Sequence, residues 1–118
     1  MSAASCDVDC LDHESARRAR AAAHRICRRD ALVALRAAAD PVRLGLLAAA
    51  IEQPDLCACD LAWVVDRQKS LVSHHLKQLR DAGLLTQRRD GRLVRYSATA
   101  SAEALVHAAA VAQRELAA

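Results

Sequence analysis

The dipeptide Asp90-Gly91 limits the fold of this chain more than any other feature, because runs typical of β-strands stand on both sides of it. Asp-Gly between strand-like runs is among the strongest short-range signals for a β-hairpin. The runs predict strands from Leu84 to Arg89 and from Arg92 to Ser97. Most of the remaining sequence has helical patterning. We therefore predict a mainly α-helical protein with one β-hairpin.

The helix predicted before the hairpin is amphipathic, with Val72, Leu76 and Leu79 on one side of a helical wheel. His75 falls on the same side, so we expect it to be a core histidine or a coupling residue that contacts no base. The opposite side carries hydroxyls, an imidazole, a cation and an amide, which can donate to base edges or phosphates. The DNA-contacting residues predicted on this helix are Ser70, Ser73, His74, Lys77 and Gln78.

A shorter helix is predicted from Leu56 to Asp66, and the polar turn 66–69 joins it to the amphipathic helix. We expect Ser70 to cap the second helix and Gly83 to end it, since glycine is common just after a helix. Two helices joined by about four residues form a helix-turn-helix. Followed at once by a basic hairpin, this arrangement predicts a winged helix-turn-helix.

Four arginines, Arg88, Arg89, Arg92 and Arg95, surround the predicted turn of the hairpin. Because side chains alternate along a strand, some should point to DNA while others pack or form ion pairs. We predict that Arg89 and Arg92, nearest the tip, contact phosphates or the minor groove. Such contacts make the affinity for DNA fall steeply with salt.

The five cysteines indicate metal or redox chemistry. The sequence shows neither a signal-peptide pattern nor an apolar run of the roughly 18 residues that a membrane span needs. We therefore expect a cytoplasmic protein, and disulfides are rare in that compartment. Cys57 and Cys59 lie at the predicted start of the shorter helix, where the backbone is not yet fully helical and both sulfurs can turn toward one ion.

Two further thiols, Cys6 and Cys10, flank two carboxylates in the tail 1–11 and can complete an all-sulfur site of three or four ligands. Thiolates favour cadmium, lead, zinc or trivalent arsenic over magnesium or calcium. We predict a metal site of Cys6, Cys10, Cys57 and Cys59, with His13 as a weaker candidate. Cys27 is more typical of a small buried hydrophobe.

The domain organisation predicted is a cysteine-bearing tail, residues 1–11, and one domain, residues 12–118. Although 53% of the chain is hydrophobic, it has one Trp, one Tyr and no Phe, which limits the area that one copy buries. Small residues form a stripe on the first predicted helix, Asp12 to Arg29. We expect this helix to pack against the last one, Ser101 to Leu116, of a second copy, so that a homodimer forms.

Several motifs resemble the ArsR/SmtB family of winged-helix repressors over roughly residues 30 to 98. Asp55-Leu56-Cys57-Ala58-Cys59-Asp60-Leu61 looks like the metal-binding box of that family. Ser73-His74-His75-Leu76 and Ala82-Gly83-Leu84-Leu85 resemble its reading helix and the start of its wing, and Ala39-Asp40-Pro41-Val42-Arg43 resembles the opening of its third helix. The tail pair Cys6-x-x-x-Cys10 is similar to that of the CadC-like, cadmium- and lead-sensing branch.

This resemblance implies a homodimer that binds operator DNA when metal-free and releases it when Cd(II) or Pb(II), or alternatively Zn(II), binds. In CadC-like proteins the tail cysteines of one subunit join the box cysteines of the other. Many relatives also carry a zinc-type site at the dimer seam. Ala100, Ala102 and Gln113 stand where those ligands would lie, so we expect the cysteines alone to sense.

Three alternatives remain open at this point. An As(III)-responsive repressor and a repressor that senses thiol oxidation would keep the same fold. A thiol–disulfide enzyme is disfavoured because the chain lacks a Cys-x-x-Cys beside a strand–helix unit. No motif resembles a pocket for a nucleotide or a small organic substrate.

Overall fold

A computed structural model describes residues 12–118, in which six α-helices and three β-strands make a mainly helical fold. The helices are α1 (His13–Ile26), α2 (Arg29–Ala38), α3 (Pro41–Glu52), α4 (Ala58–Val65), α5 (Lys69–Asp81) and α6 (Ala100–Ala117). The strands are β1 (Leu56–Cys57), β2 (Leu85–Asp90) and β3 (Leu93–Ala98). The predicted winged helix-turn-helix is confirmed, with α4 and α5 as the helix-turn-helix and β2 and β3 as the wing. Cys6 and Cys10 lie outside the described residues.

The wing is a regular antiparallel hairpin in which Leu85 pairs with Ala98 and Asp90 with Leu93. Its turn lies one residue later than predicted, because Asp90 belongs to β2 and the connecting residues are Gly91 and Arg92. Gly91 has a φ of 63°. A two-residue hairpin turn of type II′ needs this left-handed conformation at its first connecting residue, where glycine carries no steric penalty.

The start of the thiol box is a strand and not the first turn of a helix. Leu56 and Cys57 pair with Tyr96 and Arg95 of β3, which gives the sheet the order β1-β3-β2. Helix α4 therefore begins at Ala58, two residues later than predicted, and Cys57 is its N-cap residue with an extended backbone. The pairing attaches the first box cysteine directly to the wing.

Capping residues set the ends of the helices beside the site. Asp40 caps α3 as its sequence indicates, because its carboxylate accepts the backbone N–H of Arg43 at 3.0 Å. The prediction that Ser70 caps α5 is wrong. This helix begins at Lys69 after Gln68, whose side chain forms no capping hydrogen bond. At the other end Gly83 has a φ of 79°, as expected for a glycine that ends a helix.

A core of leucines holds α5 against the helices around it. The largest fully buried side chains are Leu46, Leu47, Leu61, Val72, Leu76, Leu79 and Leu84. The three from α5 recur at the spacing of one helical face, so burying them turns the polar face of α5 outward. Helix α1 has no buried residue, and Ile26 near its end is 73% exposed.

Candidate DNA interface and thiol site

The polar face of α5 lies on the protein surface. All five residues that the sequence predicts as DNA contacts on this helix are exposed, namely Ser70, Ser73, His74, Lys77 and Gln78. Buried side chains fix the opposite face of the same helix. The exposed groups therefore stand on a rigid support and together offer donors and acceptors suited to base edges and phosphates.

Arg43 joins α3 to this helix and was identified in the sequence only as part of the motif that opens α3. Its Nε donates to the carbonyl oxygen of Ala37 at 2.6 Å, and its Nη1 donates to Gln78 Oε1 and His75 Nδ1, both at 3.3 Å. His75 is half-buried, not fully inward, and its contact with Arg43 connects α5 to α3. Gln78, although exposed, already uses its carbonyl oxygen within the protein.

The wing arginines divide into two kinds. Arg88 Nη2 lies 3.5 Å from Asp55 Oδ1, and Arg95 Nε donates to Asp90 Oδ2 at 2.9 Å. The hydrogen bond from Arg95 to Asp90 raises the pKa of this guanidinium above its usual value. Arg89 and Arg92 are both exposed, and neither forms an ion pair with a residue between 12 and 118. These two cations are therefore available to an external anion.

The two box thiols have different surroundings. Cys57 is 9% exposed, and both its backbone N–H and its Sγ–H donate to Asp60 Oδ2, at 3.3 and 3.1 Å. The hydrogen bond from the thiol holds the pKa of Asp60 below its usual value of 3.8. Cys59, in the first turn of α4, is exposed. Metal binding at this pair would remove the thiol proton of Cys57 and break its bond to Asp60.

Both thiols line a single cleft of about 240 Å³ between the starts of α4 and α5 and the wing. Lys69 and Ser73 of α5 and Arg92 of the turn line the same cleft, which is completed by Ala58, Leu93, Val94 and Tyr96. Lys69 is not among the DNA contacts predicted from the sequence, although a cation directly before Ser70 at the start of the reading helix is a usable signal. Thiols and predicted DNA contacts thus share one cleft.

The described residues provide only part of a metal site. Between residues 12 and 118 no group of three or more His, Cys, Asp or Glu side chains lies close enough together to hold a metal ion. Two thiols on one cleft do fit a soft cation, but thiolate sites for zinc and similar ions are usually four-coordinate. Any further thiol from this chain must be Cys6, Cys10 or Cys27. Cys27 is exposed in the single chain, directly after α1, the helix that the sequence predicts to pack against a second copy.

Comparisons with known proteins agree with this architecture. The family described as bacterial regulatory protein, arsR family, matches residues 40–87, which include the box and the reading helix. The crystal structure of a possible transcriptional regulator for arsenical resistance superposes with a TM-score of 0.57 at 30% identity, over 67% of this chain and 81% of that one. The chain belongs to the ArsR family.

A curated protein and a further solved structure each match most of the ArsR-family protein. It is 28% identical over 113 residues to the CadC homolog of Staphylococcus aureus, a cadmium resistance transcriptional regulatory protein, with 95% of this chain and 93% of the relative covered. Its fold matches the homodimeric winged helix-turn-helix DNA-binding domain of Mb0332 from Mycobacterium bovis. That match has a TM-score of 0.67 at 19% identity, over 92% of this chain and 94% of that one.

Family membership decides between the classes of function that the sequence left open. ArsR-family proteins are DNA-binding transcriptional regulators with winged helices, so this ArsR-family protein is a regulator and not a thiol–disulfide enzyme. None of its helices between residues 12 and 118 combines the length and the apolar character that a membrane crossing requires.

Proposed function

We propose that this protein is a metal-responsive transcriptional repressor. As a homodimer it binds operator DNA in the metal-free state, and it releases that DNA when Cd(II) or Pb(II) binds to cysteine thiolates. One observation carries the proposal: Cys57 and Cys59 line the same cleft as Lys69, Ser73 and Arg92, which belong to the reading helix and the wing. An ion bound to the thiols would therefore sit beside the groups that contact DNA.

In the DNA complex, α5 lies in the major groove and the wing follows the adjacent backbone. The exposed side chains of α5 face the bases and phosphates, with Ser70, Ser73, His74, Lys77 and Gln78 as the contacts predicted from the sequence and Lys69 as a further phosphate contact at the start of the helix. Arg89 and Arg92 bind phosphates or the minor groove. In a helix-turn-helix the second helix reads base edges, mainly through residues near its amino-terminal end, which supports this assignment.

The dimer forms through α1 and α6. Exposed apolar side chains on these helices support it, because Ile26 is 73% exposed and Leu116 is 86% exposed. A mostly apolar groove of about 640 Å³ also runs between the end of α1, α2 and α6, lined in part by Leu35 and Leu105. A second copy buries these surfaces. A two-fold dimer then presents two reading helices to half-sites about 34–36 Å apart on the duplex.

The metal site takes two thiolates from the box of one subunit and the tail thiolates, Cys6 and Cys10, from the other subunit. The match to the CadC homolog supports a role for the tail, since a match over 95% of the chain must include part of the segment 1–11. The bound ion supplies a bond between thiolates of two subunits. That bond favours a dimer geometry that fits the operator poorly, and the coupling is reciprocal, typically about 5- to 150-fold.

Replacement of the box cysteines tests this function. Reduced wild-type protein and the Cys57→Ser, Cys59→Ser and Cys27→Ser variants are titrated with Cd(II), Pb(II), Zn(II) and arsenite on a labelled duplex selected for binding by the metal-free protein. DNA release and sulfur-to-metal absorption are followed together. We expect the two box variants to bind DNA normally but to lose release, while Cys27→Ser behaves as the wild type because Cys27 lies at the end of α1, away from the cleft.

Normal release by both box variants contradicts the proposal. If arsenite alone causes release, the effector is As(III) and not Cd(II) or Pb(II). Release by peroxide in the absence of metal, reversed by a reductant, replaces metal sensing with thiol oxidation. Each outcome therefore selects one of the effectors considered from the sequence.

A further inference from the structure

We propose that Lys69 and Arg92 have a second role as counter-charges of the metal–thiolate complex, which draws them away from the phosphates of the operator. The inference rests on the proposed function and adds to it the electrostatic step that couples metal binding to DNA release. The same two cations would bind DNA in the metal-free state and the metal complex in the released state.

The positions of the two cations support this role. Lys69 is the first residue of α5, and Arg92 is the second connecting residue of the hairpin turn. Both are exposed, yet both line the cleft that contains Cys57 and Cys59. Neither forms an ion pair with any residue from 12 to 118. Each cation can therefore turn toward the cleft or toward a phosphate.

The wing is held close to the thiols by the sheet. Cys57 of β1 pairs with Arg95 of β3, and Arg95 Nη1 donates to the carbonyl oxygen of Asp55 at 3.0 Å. Arg95 Nε also donates to Asp90 Oδ2 beside the turn. Arg92 follows Asp90 by two residues, so the turn that carries this cation is tied to the strand that carries Cys57. Pairing within the sheet therefore keeps Arg92 and Cys57 in the same cleft.

Metal binding reverses the sign of charge in this cleft. In the metal-free state the Sγ–H of Cys57 donates to Asp60, and Lys69 and Arg92 are the charged side chains that line the cleft. When the ion binds, the thiol protons leave to solvent and thiolates surround the metal. A divalent ion with four thiolates carries a net charge of two minus, and one with three thiolates carries one minus. An anion in a partly enclosed cleft attracts nearby cations more strongly than it does in open water.

The charge of the complex depends on the ion, which gives the inference a specific signature. Trivalent arsenic held by three thiolates forms a neutral complex. Lys69 and Arg92 should therefore strengthen the binding of Cd(II) and Pb(II) but have no effect on the binding of arsenite. A role in shaping the cleft alone would affect all three ions alike.

Charge-removing variants with matched controls test the inference. Lys69→Gln and Arg92→Gln remove the cleft cations. Two control variants remove an exposed cation that does not line the cleft. Lys77→Gln is the control for Lys69→Gln, because both residues belong to α5. Arg89→Gln is the control for Arg92→Gln, because Arg89 lies on β2 beside the hairpin turn. The Cd(II) affinity of each reduced, DNA-free protein is measured by competition with a chromophoric chelator. Since an exposed charge pair contributes modestly, we expect about two- to fivefold weaker Cd(II) binding for each cleft variant and no change for the controls.

The effect of Cd(II) on operator affinity supplies a second readout. All four variants should bind DNA more weakly, but only the two cleft variants should show a smaller loss of operator affinity on adding Cd(II). That loss should shrink by about the same two- to fivefold factor, because the coupling between metal binding and DNA binding is reciprocal. Lys69→Arg, which keeps the charge, should restore both quantities.

Equal Cd(II) affinities in all four variants, with wild-type protein still releasing DNA, overturn the inference and leave the proposed function intact. Equally weakened arsenite binding in the cleft variants overturns it as well, because a neutral complex needs no counter-charge. Failure of Cd(II) to release DNA from the wild-type protein instead refutes the proposed function itself. The two failures are thus distinguishable.

Discussion

Glutamine substitutions in the wing should have unequal effects on DNA binding, depending on whether each arginine is already paired. Arg89 and Arg92 are exposed and have no ion-pair partner among residues 12–118, whereas Arg88 lies 3.5 Å from Asp55 Oδ1. An arginine that contacts a phosphate releases condensed counterions from DNA, and an arginine bound to a carboxylate releases fewer. We therefore expect Arg89→Gln and Arg92→Gln to reduce the salt dependence of binding more than Arg88→Gln does.

The size of the effect follows from the number of phosphate contacts that the proposed dimer loses. Each contact contributes about 0.9 to the slope of log affinity against log salt on duplex DNA. Because both subunits carry the substitution, Arg89→Gln removes two contacts and should make the slope about 1.8 less steep. Between 50 and 200 mM salt, the ratio of wild-type to variant affinity should then change by roughly tenfold.

Fluorescence anisotropy of a labelled duplex, titrated with metal-free protein at four or more salt concentrations, measures these slopes. Arg88→Gln is the matched control, since it removes the same charge from the neighbouring residue of β2. Thermal unfolding of each variant shows that the wing is retained. Equal reductions in slope for the Arg88, Arg89 and Arg92 variants would contradict a difference between paired and unpaired arginines, and so would an unchanged slope for both Arg89→Gln and Arg92→Gln.

Three further substitutions test the fold that supports the site. Leu76→Ala should lower the free energy of unfolding by about 2–5 kcal/mol, because Leu76 is fully buried, whereas Leu71→Ala, at an exposed position of the same helix, should cost less than about 1 kcal/mol in urea titrations. Asp40→Ala should cost about 1 kcal/mol at neutral pH by removing the cap of α3. The backbone N–H of Arg43 holds the pKa of Asp40 below its usual value of 3.8, so the contribution of this carboxylate is complete above that pH and is lost as the pH falls through the lower folded-state pKa. The difference in stability between wild type and Asp40→Ala should consequently narrow in acid, and a difference that keeps its neutral-pH size below the folded-state pKa would contradict this account. Gly83→Ala should cost about 1–2 kcal/mol from backbone strain alone, since φ is 79° and the added methyl group meets no atom within 4 Å, and an unchanged melting temperature would contradict it.

Local signals in the sequence determined the elements themselves. Asp40 before Pro41 predicts the start of α3, Gly83 predicts the end of α5, and Asp90-Gly91 predicts the hairpin. Each signal acts through backbone conformation or hydrogen bonds within about four residues, so it works without the rest of the fold. The three buried residues of α5 likewise follow from helical periodicity.

How these elements meet depends on contacts between residues that are far apart in the sequence. Leu56 and Cys57 form a strand because their partners on β3, Tyr96 and Arg95, supply backbone hydrogen bonds from a distant part of the chain, and no local pattern records that pairing. The ion pair between Asp55 and Arg88 also joins distant parts of the chain, so no local pattern predicts it. It leaves Arg88 paired with a carboxylate, while Arg89 and Arg92 have no such partner between residues 12 and 118.

The gathering of thiols and cations in one cleft also depends on the tertiary structure. Cys57 and Cys59 come from the box, Lys69 from the start of the reading helix and Arg92 from the hairpin turn. Residue type and spacing identified the thiols, since their chemistry is local to each side chain. Their neighbours are set by the packing of α4, α5 and the sheet around a shared leucine core, and that packing depends on contacts between residues far apart in the sequence.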